Sequence, residues 1–275
     1  MSPTKLVLAA GLGAAGLLPM SDSAFAAIAD YPSTATYTVP NQTGQAGVPS
    51  QVFVPPGRTA VQSLQLTHVK PSFPNGANAG LDLQFRLESP SGTSVQVLAN
   101  SNCANWPNTS DFTVTDSATN EVGSTAFCAS LPNGPGKPNQ PLSTFNGQPS
   151  AGVWTMTVVD VGLFAPTTDG FWNGWTLQIN HASPTLKADP APFKIQKKFA
   201  IAARCDANCT VITGGAAGFT STQLAANTVG TIVAPANKKA QKKGKGVVTL
   251  AATDETGGTA TTTVNAKTIK VKKKK

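Results

Sequence analysis

The stretch Leu81-Asp82-Leu83-Gln84-Phe85-Arg86-Leu87-Glu88 decides the fold class, because apolar and polar residues alternate along it without a break. Successive side chains of a β-strand point to opposite faces, so this stretch would place four apolar side chains towards a core. The same period of two residues returns in Val153–Asp160 and in 175–179, where each apolar face begins with a tryptophan. These three stretches predict half-buried strands.

Turn sequences separate the alternating stretches, among them Pro55-Pro56-Gly57, Pro74-Asn75-Gly76 and Pro132-Asn133-Gly134. No segment after residue 28 keeps a helical period over three turns. Charged residues make up only 12% of the chain, which suits strands and turns better than long helices. The sequence therefore predicts an all-β protein, built as a sandwich, jelly roll or barrel.

The first 26 residues have the pattern of an export signal. Lys5 gives a positive start, residues 6–18 are apolar, and Ala24-Phe25-Ala26 is a small-x-small cleavage site. The apolar run is shorter than the roughly 20 residues of a membrane-spanning helix. We expect a secreted, extracellular protein without a transmembrane segment in the mature chain.

Four cysteines follow this signal, and an even number in an exported chain favours disulfides. Three pairings are possible; the favoured one keeps each bond within one proposed domain and joins Cys103 to Cys128 and Cys205 to Cys209. A zinc site is the alternative. The spacing and the lack of a nearby histidine argue against it.

The composition changes near residue 181. Residues 28–180 contain all four tryptophans and carry four basic and eight acidic groups, whereas residues 181–275 carry sixteen basic and four acidic groups. Two proline-rich stretches lie in 181–192 and predict a linker. The expected organisation is a main domain at 31–180, this linker, a small basic β-domain at 193–271, and a lysine tail at 272–275.

Several fragments of the main domain, taken in order, resemble the P domain (P/Homo B) of subtilisin-like, kexin-like and proprotein convertase proteases. They are Leu81–Thr93, Asp111–Asp116, Pro141–Gly147, Gly152–Asp160 and Asp169–Leu177. The resemblance implies a β-jelly roll that supports a catalytic domain and performs no hydrolysis itself. A Phe171-Trp172 pair and a longer loop at Pro132–Pro138 depart from the family pattern.

The second half resembles the small Ig-like modules of secreted actinobacterial proteins. The matching fragments are Lys198–Val211, with its C-x-x-x-C-x-V hairpin, and Val248–Ala260. This resemblance implies a small β-sandwich and says little about function.

Catalytic machinery is not evident in the sequence. Ser94 follows a Gly-Thr pair like that of a subtilisin nucleophile, but the P-domain turn accounts for the same residues. A serine protease needs a base oriented by a carboxylate beside the nucleophile, and His68 and His181 do not supply one by pattern. There is no phosphate-binding loop and no H-E-x-x-H motif. We expect a protein that is not an enzyme and needs no cofactor.

Carboxylates in the motif loops could bind calcium, although turn capping explains the same residues. The candidate ligands are Asp82, Asp116, Asp160 and Asp169. Lysines of the second half could bind a polyanion, although a solvated loop and a disordered tail are the simpler reading. They are Lys238, Lys239, Lys242, Lys243, Lys245, Lys272, Lys273, Lys274 and Lys275.

Three functions remain to be compared. The first is an exported binding or accessory protein at the cell surface, held there by anionic wall polymer. The second is a partner that stabilises a subtilisin-like protease in trans. The third is a serine endopeptidase, which lacks a recognisable nucleophile–base pair. The few aromatic residues near the lysines argue against sequence-specific binding of nucleic acid.

Overall fold

The computed structural model describes residues 27–39, 47–72, 83–99, 101, 103, 109–160, 170–189, 198–243 and 245–267, with the backbone alone at 160, 266 and 267. The described residues form antiparallel sheets joined by turns and short helices. The predicted all-β, sandwich-like fold class is confirmed. Neither described α-helix approaches the length and apolarity of a membrane-spanning helix.

Residues 27–181, called here the first β-unit, contain eleven of the described strands and two short helices. The elements are β1 (Ala27–Ser33), β2 (Tyr37–Val39), β3 (Val48–Val54), β4 (Val61–Val69), β5 (Pro71–Ser72), β6 (Leu83–Glu88), β7 (Ser94–Leu98), β8 (Phe112–Val114), α1 (Thr125–Ser130), the 3₁₀-helix η1 (Leu142–Phe145), β9 (Gly152–Asp160), β10 (Gly170–Trp172) and β11 (Trp175–His181).

Two four-stranded sheets form the body of the first β-unit. One has the strand order β1-β11-β4-β8 and the other β3-β9-β6-β7, and a small sheet β2-β10-β5 adjoins them. Buried side chains of all three sheets belong to a single hydrophobic cluster. The alternation read from the sequence explains this, because each strand turns its apolar side chains towards that cluster.

Tryptophan side chains dominate this first core. Trp154, Trp172 and Trp175 are each at most 1% exposed. The Trp154 ring meets Phe145 edge to face with ring centroids 5.1 Å apart, and its Nε1 donates to the Ser150 carbonyl at 2.8 Å. Such aromatic pairs stabilise a core beyond the area they bury, by roughly 0.5–1.5 kcal/mol.

Residues 186–267, called the second β-unit, have a separate buried cluster. Its core consists largely of alanine and β-branched residues and contains no tryptophan. The sheets have the orders β12-β13-β16 and β15-β14-β17-β18. The elements are β12 (Leu186–Ala188), β13 (Lys198–Cys205), β14 (Cys209–Gly215), β15 (Ser221–Leu224), β16 (Val229–Pro235), α2 (Lys238–Lys243), β17 (Lys245–Asp254) and β18 (Thr259–Lys267).

The predicted linker 181–192 needs correction at the four described residues that lie in strands, His181 and Leu186–Ala188. His181 ends strand β11 and is fully buried, and Leu186 begins strand β12, which pairs with β13 opposite Cys205. Leu186 is 7% exposed because its side chain covers the second core. The lysine tail at 272–275 lies outside the described residues, as do residues 190–197 and 268–271.

Both disulfides have the pairing that the sequence favours. Cys103 bonds to Cys128, which lies in α1, and Cys205 bonds to Cys209 across the turn between β13 and β14. Disulfides of this kind persist in oxidising compartments, so they are compatible with an extracellular protein.

A small polar contact joins the two units. The Gly57 carbonyl accepts a hydrogen bond from the Asn208 backbone N–H at 2.9 Å, and Arg58 Nη1 lies 3.3 Å from Glu255 Oε2. Asn208 Nδ2 donates to the other Glu255 oxygen at 3.1 Å. Gly57 has a φ of +88°, and a Cβ there would collide with the Asn208 side chain, so this position requires glycine.

Candidate binding site

A polar groove crosses the outer face of the sheet β1-β11-β4-β8. Its volume is about 330 Å³, and it lies between this face and η1. The floor comes from outward-facing residues of the strands, and the wall comes from the turn after β8 and from η1. Its lining includes Ile28, Gln65, Asp116, Asn146, Gln178 and Asn180.

A ladder of side-chain hydrogen bonds fixes the groove floor. The strand register places Gln178 opposite both Asp30 and Gln65. Gln178 Nε2 donates to Asp30 Oδ1 at 2.7 Å, and Gln65 Nε2 donates to Gln178 Oε1. A carboxylate can only accept here, so it sets the orientation of both amides in turn.

Asp116 fixes the groove wall. Its two carboxylate oxygens accept the backbone N–H groups of Leu142 and Ser143 at 2.7 and 2.8 Å. These N–H groups are at the start of η1, where the helix leaves donors unsatisfied. Asp116 therefore acts as a capping residue, which is the alternative that sequence reasoning kept open beside calcium.

The side chains of the other three proposed calcium ligands lie outside what the structure describes. Asp82 and Asp169 lie outside the described residues, and Asp160 is described only as the backbone end of β9. Among the described residues, no group of three or more potential metal ligands occurs. Calcium binding stays a prediction.

His68 lies at a backbone irregularity in strand β4, on the protein surface. Its φ is +50°, its side chain is exposed, and its Nδ1 lies 3.1 Å from Asp111 Oδ1. Lys70 Nζ lies 3.4 Å from the other Asp111 oxygen. Exposed ion pairs of this type stabilise a protein little, so we assign this cluster a local structural role.

His181 lies in the core. Its Nε2 is 2.9 Å from the Tyr31 hydroxyl, and its Nδ1 is 3.4 Å from Ser150 Oγ. Burial, with the nearby Arg58 cation acting in the same direction, lowers the pKa of His181 below its usual value, and burial raises the pKa of Tyr31. The Ser150 hydroxyl donates to the Thr59 carbonyl at 2.7 Å and is 1% exposed, so a substrate has no access to this pair.

A lysine cluster lies on the second β-unit. Lys238, Lys239, Lys242 and Lys243 are exposed on α2, and Lys245 is exposed at the start of β17. Asn237 caps this helix, since its Oδ1 accepts the Ala240 N–H at 2.7 Å. None of these lysines forms an ion pair with a described carboxylate. The predicted lysines 272–275 lie outside the described residues.

The groove and the unit junction were not found by sequence reasoning, which singled out acidic loops and lysines. Gln65 and Gln178 are 113 residues apart, and each reads as an ordinary solvent-facing strand residue. They lie side by side only because of the pairing register of β4 and β11, which cannot be read from the sequence.

No family model matches the chain, and no curated protein sequence matches it. Among solved structures, similarity is found to the complex of Aeromonas sobria serine protease with its chaperone, with a TM-score of 0.36 and 13% identity over 57% of this chain and 27% of that one. A glycoside hydrolase domain of Streptococcus pneumoniae R6, Endo-D, gives a TM-score of 0.22 and 10% identity, covering 84% and 32% of the two chains.

A β-1,2-glucanase from Parabacteroides distasonis gives a TM-score of 0.18 and 9% identity, covering 89% of this chain and 37% of that one. The chain thus spans only about a quarter to two fifths of the length of these proteins. Similarity at these values supports no conclusion about activity.

Proposed function

We propose that the protein is an exported, non-catalytic binding protein whose first β-unit is an accessory domain for a subtilisin-like protease. The observation that carries this proposal is the ordered set of P-domain-like fragments in the sequence. Their residues have structural tasks here: Gly92 and Gly147 adopt φ of +81° in turns, and Trp154 and Trp175 lie in the core. A binding module of this kind presents surface loops and needs no reactive centre.

The chemistry of the described residues favours binding over hydrolysis. His181 and Ser150 are enclosed in the core, with Ser150 at Nδ1 of the ring and the Tyr31 hydroxyl, not a carboxylate, at Nε2. His68 has a carboxylate partner, but the polar atoms within hydrogen-bond distance of its ring are those of Asp111. A nucleophile activated by a neighbouring base is therefore not part of the proposal.

The accessory role can be tested with the secreted chain as bait in culture supernatant. We expect it to retain a subtilisin-like protease and to slow the thermal inactivation of that protease when added back in purified form. Serum albumin at equal concentration is the control. Recovery of no protease, or equal protection by albumin, would contradict the proposal. Casein hydrolysis that a serine-directed inhibitor blocks would instead show an enzyme.

The lysine cluster favours a second, compatible function, which is attachment to an anionic polymer of the cell wall. Five exposed lysines within eight residues, without described acidic partners, attract phosphate-rich chains through a salt-sensitive field. The disulfides and the export signal would place the protein outside the cell, where such polymers occur.

Binding to purified teichoic acid across a salt series tests this attachment. The variant Lys242→Gln/Lys243→Gln should bind more weakly and with a shallower dependence on salt. The control Lys187→Gln/Lys198→Gln removes the same charge from exposed sites elsewhere in the second β-unit. Equal losses in both variants would show a general charge effect and no dedicated cluster.

A further inference from the structure

We propose that the polar groove on the first β-unit binds a neutral, hydroxyl-rich ligand, and that this ligand is a short oligosaccharide. This site is distinct from the lysine cluster and does not depend on a protease partner. Its volume of about 330 Å³ falls at the lower end of the roughly 300–1,000 Å³ typical of small-molecule sites.

The lining chemistry selects the class of ligand. Eight of the eleven described lining residues are uncharged amides or hydroxyl side chains, two are apolar, and none is cationic. The single carboxylate, Asp116, already accepts two backbone hydrogen bonds. Phosphate and other anions would find no counter-charge here, whereas amides and hydroxyls can both donate to and accept from sugar hydroxyl groups.

The side chains on the floor of the groove are pre-organised for such a ligand. The described side-chain hydrogen bonds use Gln65 Nε2 and both amide atoms of Gln178. The side-chain Oε1 of Gln65 remains as an acceptor for a ligand. Because Asp30 anchors the ladder, a ligand would not have to order these two side chains on binding. Ordering a long side chain on binding carries an entropic cost, so this arrangement favours even a small ligand.

Asn180 supplies a second acceptor beside the ladder. Its Oδ1 is buried and has no hydrogen-bond donor among the described residues. A buried acceptor without a donor destabilises the folded protein. Rotation of this short side chain towards the groove would let a ligand hydroxyl donate to it and remove that destabilisation.

The position of the groove favours a sugar over a peptide. An extended peptide is usually bound along a sheet edge, where strand N–H and C=O groups are free. This groove crosses β11 and β4, whose backbone groups pair with strands on both sides. At its rim, Ile28 is 65% exposed and offers an apolar surface for the C–H face of a sugar ring.

The test measures binding of neutral trisaccharides to the full secreted chain by saturation-transfer NMR and calorimetry. The probes are cellotriose, chitotriose and maltotriose, with tetra-alanine and inorganic phosphate as ligands of other classes. We expect at least one trisaccharide to bind, and we expect Gln178→Ala and Asn146→Ala each to weaken it at least tenfold. The control Gln51→Ala removes an exposed amide from β3, outside the groove, and should change affinity less than twofold.

Melting curves of all three variants establish that a loss of binding is not a loss of folding. Asn146→Ala keeps the proposal testable if Gln178→Ala fails to fold, because the described hydrogen bond of Asn146 comes from its backbone N–H. Binding of no trisaccharide, or the same affinity in the folded groove variants, would overturn the proposal. Binding of tetra-alanine or phosphate in place of a sugar would overturn the ligand class. The protease assays above are unaffected by any of these results.

Discussion

The two disulfides close loops of very different length, and their removal should therefore destabilise the protein unequally. Cys103 and Cys128 are 25 residues apart, for which the chain-entropy model gives about 3.5 kcal/mol at 25 °C. Cys205 and Cys209 are only 4 residues apart, for which the same relation gives about 1.9 kcal/mol. Replacing both cysteines of each pair by alanine should thus show a difference of about 1.6 kcal/mol.

Urea unfolding can follow the two units separately. All tryptophans and tyrosines of the mature chain precede residue 181, so their fluorescence reports on the first β-unit, while far-UV circular dichroism reports on both. The Cys103→Ala/Cys128→Ala variant should lower the fluorescence midpoint strongly. The Cys205→Ala/Cys209→Ala variant should mainly shift the dichroism. An equal or larger loss for the short loop would refute the assignment of these stabilities to loop closure.

Three further perturbations test other parts of the structure. Trp154→Ala should lower the free energy of unfolding by about 3–5 kcal/mol in urea titrations, because the ring is fully buried; a loss below 1 kcal/mol would contradict its place in the core. The wild-type protein should lose stability as the pH falls below 6.5, since unfolded His181 takes up a proton before folded His181 does; this slope should flatten in His181→Asn, measured by melting between pH 7.5 and 5. Arg58→Ala should widen the gap between the fluorescence and dichroism midpoints by loosening the contact with Glu255, and an unchanged gap would show that the ion pair does not couple the units.

The core of the first β-unit could be predicted from the sequence because its signal is local. Strands β9 and β11 begin within one residue of the stretches Val153–Asp160 and 175–179 that the sequence predicts. In both, period-two alternation and large apolar side chains agree. Such consistency leaves little freedom for another secondary structure.

Strands with weak alternation were missed because their local signal is weak. In β16, the core positions are Ile232 and Ala234, while Val229 and Val233 face solvent. Because apolar residues occur on both faces of β16, the two-residue alternation of apolar and polar side chains is not visible in its sequence. Alanine, being small, also marks a core position only weakly. The short helix α2 was also missed, because six residues rich in lysine do not provide a helical period.

The groove shows why a binding site on a sheet face is harder to predict than the fold beneath it. The residues of a core face must be apolar, so the sequence marks them one strand at a time. The residues of a binding face need only be polar, and Gln65 or Gln178 alone cannot be told from any other solvent-facing side chain. What makes them a site is the register of three strands, and a shift of one residue would turn Gln178 into the core and replace it by Leu177 or Ile179. The buried face of β11 therefore determines the position of the polar residues on its other face. Burial of Leu177 and Ile179 fixes the register, and this register places the Gln178 amide beside Asp30.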